Sequence, residues 1–106
     1  MAKGFDPSEL MKQARALKDQ MAKEQEKLKE RVVEGTAGGG MVTAFVNGAG
    51  EMVGIKLNKD VVDPDDVSML EDLIQVAVND GITKANELSE TEMNKLTGGL
   101  GMGGLF

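Results

Sequence analysis

An α+β fold in the order α-β-β-β-α is what this sequence predicts, on three observations. Residues 7–31 carry apolar side chains at helical spacing with no interior Gly or Pro. Residues 42–57 carry two alternating apolar runs around Asn47-Gly48-Ala49-Gly50. Residues 64–96 return to helical spacing with a broader apolar face. The 106 residues fit one domain over 1–96, followed by a Gly-rich stretch, TGGLGMGGLF, expected to form a flexible tail over 97–106.

The first helix opens at Asp6-Pro7-Ser8-Glu9: Asp6 as N-cap, Pro7 where a missing N–H costs nothing, and Glu9 reaching back to the cap. Its apolar residues, Leu10, Ala14, Leu17, Met21 and Leu28, make a narrow stripe with Glu24 at the missing heptad step. At 1.5 Å per residue it spans about 37 Å. Lys12, Arg15, Lys23 and Lys27 fall opposite that stripe, with Asp19, Glu26 and Glu30 among them. On the residues alone this is either a solvated face supported by pairs such as Asp19 with Lys23, or a phosphate-binding face.

A first strand is expected near Val32 to Thr36, set off by Gly38-Gly39-Gly40 from a second over residues 42–47. The Asn47-Gly48 turn leads into a third through Val53, Ile55 and Leu57, giving a three-stranded antiparallel meander. The second helix is announced by Asp63-Pro64-Asp65-Asp66, a repeat of the first cap device. Its apolar face runs from Val67 through Leu70, Leu73, Ile74, Ala77, Val78, Ile82 and Ala85 to Leu88, wide enough to cover one side of a small sheet. Gly81 and the Ser89-Glu90-Thr91-Glu92 capping box predict a kink or break near residue 81 or 89.

The composition narrows the chemistry. With no Cys, His, Trp or Tyr, the chain has no thiolate or imidazole metal ligands, no Cys nucleophile and no His base. The Asp63 to Asp66 cluster lacks the mid-loop Gly and distal Glu of a calcium loop. No Gly-Lys pair exists to complete a P-loop, and Gly48, Gly50 and Gly54 are spaced one residue too far for a dinucleotide fingerprint. No carboxylate pair stands out as acid and base. The expectation is a non-enzyme with no cofactor, metal or small-molecule substrate. No segment approaches the ~18 apolar residues of a membrane span, so a cytoplasmic protein with no membrane partner is expected.

Charge is unevenly distributed. Through Arg31 there are eight basic and six acidic residues, a net of +2, whereas the remainder carries four basic against twelve acidic, a net of −8. The total of −6 does not itself point to a polyanionic partner. A 37 Å helix overhangs a sheet whose six-residue strands are only about 20 Å long, which leaves part of its stripe uncovered. A two-fold homodimer with projecting helical arms resolves this most simply.

GGGMVTAFVNGAGEMVGIKLN, then DPDD, then MLEDLIQVAVNDGITKANEL, with Met11-Lys12-Gln13-Ala14 in a Lys-rich first helix and a Gly/Met-rich tail, together resemble the YbaB/EbfC family of bacterial nucleoid-associated proteins. The resemblance covers nearly the whole chain. It implies an α-β-β-β-α protomer, a tweezer-like homodimer, and nucleoid-associated binding to duplex DNA with little sequence specificity, with effects on gene expression. Lys12, Arg15, Lys18, Lys23 and Lys27 are then the candidate phosphate contacts, joined by Lys84 and Lys95. The rival reading is an acidic dimeric adaptor that binds proteins through exposed helix ends or the Leu/Met/Phe-bearing tail and has no DNA affinity.

Overall fold

A computed structural model describes residues 6–99, and side chains as far as residue 96. The order is α1 (Pro7–Glu30), β1 (Val32–Ala37), β2 (Val42–Asn47), β3 (Met52–Leu57), a 3-10 turn at Lys59–Val61, and α2 (Val67–Gly99). The strands form one antiparallel sheet in the order β1-β2-β3. Val33, Gly35 and Ala37 of β1 lie opposite Val46, Ala44 and Val42 of β2. A bulge between Phe45 and Val46 shifts the β2–β3 register, so that Gly54 faces Phe45 but Met52 faces Val46.

Alternation decides what is buried. Val42, Ala44 and Val46 point to one face and are fully enclosed, together with Ala77 and Ala85 of α2. The small residues Gly35, Ala77 and Gly81 let α2 lie close upon β1 and β2. Leu70, Leu73, Ile74 and Val78 pack around this core from the helix side, with Val61 closing it from the 3-10 turn. The cover stops short of β3, where Met52, Val53 and Ile55 remain 44%, 54% and 45% exposed.

Several local features differ from the expectations. Asp6 caps α1, but Ser8 closes the cap in place of Glu9, its amide and hydroxyl donating to Asp6 Oδ1 at 3.0 and 2.9 Å. Asp63 does not start α2. Its carboxylate accepts from the Asp65 amide and its carbonyl from the Asp66 amide, making a turn, and Asp66 takes the cap role by accepting from Met69 N–H at 3.3 Å.

No break occurs at 81 or 89, because α2 is one helix of 33 residues, about 50 Å long. Gly81 is retained as a close-packing position. The supposed capping box lies inside the helix: Thr91 Oγ1 donates to the Glu87 carbonyl one turn back. The helix takes in residues 97–99 of the expected tail, and 100–106 lie outside the described residues. In the β2–β3 turn the positive φ falls on Gly50 at +84°, not on Asn47 or Gly48. Asn47 organises that turn instead, its side-chain oxygen accepting from Ala49 and Glu51 amides at 3.0 Å each.

Candidate nucleic-acid interface

α1 is amphipathic enough to form a helix, but too long to be covered. Within it only Leu28 is buried, 1% exposed, while Leu10, Leu17 and Met21 on the same stripe stay open. The helix is attached at one end. Gly48 N–H donates to the carbonyls of both Leu28, at 2.8 Å, and Arg31, at 2.9 Å. A Cβ on Gly48 would press on the Leu28 carbonyl at 2.8 Å and its side chain at 2.9 Å, so the attachment requires glycine there. Arg31 ends the helix in extended conformation and turns the chain into β1. Its guanidinium donates to Glu92 Oε1 on α2 at 2.7 Å. That bond, followed by the charges of Lys95 and Arg31, holds the Glu92 carboxyl below its ordinary range despite some desolvation. The principal extents of the chain, 78 × 24 × 18 Å, reflect these long helices on a small sheet.

The cationic candidates fall into two groups. Lys12, Arg15, Lys18 and Lys23 are exposed on α1, and among the described residues none of them forms an ion pair or side-chain hydrogen bond. The expected Asp19–Lys23 pair is therefore not formed. Lys12 and Arg15 line a shallow concavity with Ser8 and Met11 toward the outer end of the arm. Lys27, on the same helix, lies 3.5 Å from Glu24 and keeps 71% of its side chain exposed.

The candidates on α2 each face a carboxylate on the same helix. Lys84 lies 3.1 Å from Asp80 and donates to the Glu34 carbonyl at 3.0 Å. Asp80 in turn accepts from the Thr36 amide at 3.0 Å, and this bond, then Lys84, holds its carboxyl below the usual range. Together they satisfy outward-facing backbone groups on the open edge of β1. Lys95 lies 3.6 Å from Glu92. Its side chain is 69% exposed, much like that of Lys27 in its own pair.

The row from Lys12 to Lys27 covers fifteen residue steps, about 22 Å of helix. Duplex DNA offers one negative charge per ~1.7 Å of its axis, a finer spacing than that of the cations along this row. Sequence reading missed the root of this arm. Glu92 lies 61 residues from Arg31, and no local spacing reveals the pair.

No helix among the described residues is long and apolar enough to cross a membrane, and no group of three or more acidic side chains there is placed to hold a metal ion. The model of the YbaB/EbfC DNA-binding family matches residues 3–100. A nucleoid-associated protein of Syntrophobacter fumaroxidans is 50% identical over 105 residues, covering 99% of this chain and 93% of that protein. One from Thermoanaerobacter pseudethanolicus is 50% identical over 103 residues, covering 97% and 93%. Among solved structures, an uncharacterized protein from Helicobacter pylori superposes with a TM-score of 0.76 at 25% identity, covering 87% of this chain and 97% of that one. Fold, free cationic arm and a match over nearly the full length agree: the chain belongs to the YbaB/EbfC DNA-binding family.

Proposed function

We propose that this protein is a homodimeric, nucleoid-associated protein of the cytoplasm that grips duplex DNA by its phosphate backbone through the projecting α1 arms, with little sequence specificity and with consequences for gene expression. The observation that carries this reading is the set of cations Lys12, Arg15, Lys18 and Lys23, unpaired among the described residues, on a helix whose one buried residue is Leu28. Lysines act as point charges on phosphate, and a chain with three Phe and neither Tyr nor Trp has little to stack on bases. The acidic body, net −8 beyond Arg31, repels the duplex and leaves the arm as the surface of approach.

Dimerisation is supported by the apolar residues of β3. Met52, Val53, Ile55 and Leu57 are left uncovered beside the buried core of β2, and a second copy can bury them. The deciding experiment is duplex binding by the wild type and by a Lys12/Arg15/Lys23/Lys27→Glu variant that retains the wild-type oligomeric state. Loss of binding in the variant supports the arm assignment, and equal binding by both removes it. The adaptor reading draws on the open apolar residues Leu10, Leu17 and Met21 of α1. Absence of duplex binding by the wild type at ~50 mM salt would favour it, because phosphate contacts are strongest at low salt.

A further inference from the structure

The geometry points to Arg31 and Glu92 as a positioning pair that fixes the direction of α1 against α2, and so sets where the arm cations stand; its effect on DNA rests on the arm reading above. α1 meets the body through one buried side chain, Leu28, the two Gly48 hydrogen bonds, and the Arg31 guanidinium on Glu92. The first two gather at the C-terminal end of α1 and define a pivot. Arg31–Glu92 is the one side-chain ion pair between the α1–β1 junction and α2 among the described residues. It resists rotation about that pivot.

An exposed ion pair contributes little to global stability. Orientation is a different matter, because few other contacts compete to set it. Lys12 stands sixteen residues from Leu28, about 24 Å along the helix, so a tilt of ~10° displaces it by about 4 Å. Lys95, 3.6 Å from the same Glu92 oxygen, holds the acceptor on the α2 side. Arg31 therefore acts through the placement of Lys12, Arg15, Lys18 and Lys23 rather than by touching phosphate itself.

The chain has no cysteine, so a Gln13→Cys/Asn79→Cys background takes spin labels at one exposed arm position and one exposed body position. Labelled chains diluted with unlabelled protein report intrachain distances by pulsed electron resonance. The background, Arg31→Gln, Glu92→Gln and the charge swap Arg31→Glu/Glu92→Arg are compared for distance distribution and for duplex affinity. The expected result is a narrow distribution in the background, a broadened one in both single variants, and recovery in the swap.

Glu92→Gln is the discriminating variant. Removing a negative charge tightens DNA binding if Arg31 is simply another phosphate ligand. A positioning pair predicts weaker binding, by about two- to fivefold, the range of an exposed ion pair. Unchanged distances in both single variants, or tighter binding by Glu92→Gln, overturn the inference. If instead the four-residue Glu variant of α1 binds duplex as the wild type does, the arm reading fails, while the label distances still decide whether the pair orients the helix.

Discussion

Gly35 of β1 lies directly against Gly81 of α2: a Cβ on Gly35 would fall on the Gly81 amide nitrogen and the Ala77 carbonyl oxygen. A Cβ on Gly81 would come within 2.7 Å of Val46 Cγ2, a side chain in place of backbone. Gly35→Ala must therefore push the helix off the sheet. We expect a loss of about 3 kcal/mol or more, at or beyond the usual range for overpacking. Gly81→Ala recovers roughly 1 kcal/mol of helix propensity against its clash and should cost distinctly less. Urea unfolding of the two variants checks the order.

Leu28 is the buried peg of the arm. Leu28→Ala should cost about 2 to 3 kcal/mol, the lower part of the range for a buried Leu, because the site lies at the margin of the core and can relax. Amide exchange should then quicken through α1 while the amides of β2 facing α2 keep their relative protection. Equal acceleration in both places would show that the arm and body unfold as one unit.

Asp80 has its carboxyl held below the ordinary aspartate value, first by the Thr36 amide and then by Lys84. A depressed folded-state pKa adds stability that is fully present above the unfolded value of about 3.9 and is lost as pH falls through the folded value. Acid titration of stability should thus show a loss assignable to Asp80 as pH falls below about 4, absent in Asp80→Asn. The Thr36 amide should exchange faster in that variant at neutral pH.

Single arm and body lysines should separate in the salt dependence of duplex binding. Each phosphate contact contributes about 0.9 to the slope of log K against log salt. Lys12→Gln and Lys23→Gln should each lower that slope by roughly this amount. Lys84→Gln should leave the slope nearly unchanged and lower stability, since its ammonium is engaged by Asp80 and the Glu34 carbonyl.

Alternation over residues 42–47 was enough to mark a strand, and the structure buries its Val42, Ala44 and Val46 on one face. The family was legible from the combined motifs, and the match over residues 3–100 bears it out. Gly81 and Ser89 misled because a helix-breaking residue was weighed by local propensity alone. Packing on Gly35 and a buried face continuing to Ala85 carry α2 past Gly81, and residue 89 lies within the same helix. Asp63 misled in the same way: its carboxylate served a nearer amide, and the next acidic residue able to cap, Asp66, took the helix. The Glu34 carbonyl that Lys84 meets and the Glu92 carboxylate that Arg31 meets were invisible for another reason, lying 50 and 61 residues away along the chain.

The unbroken course of α2 leaves the protein with two helices that are anchored unequally. A load applied near Gly99 is carried by a single beam that is bolted along β1 and β2 through Ala77, Gly81 and Ala85, so it reaches the sheet as torque. A load applied near Lys12 is borne at the root of α1 alone, by Leu28, the Gly48 hydrogen bonds and Arg31 on Glu92.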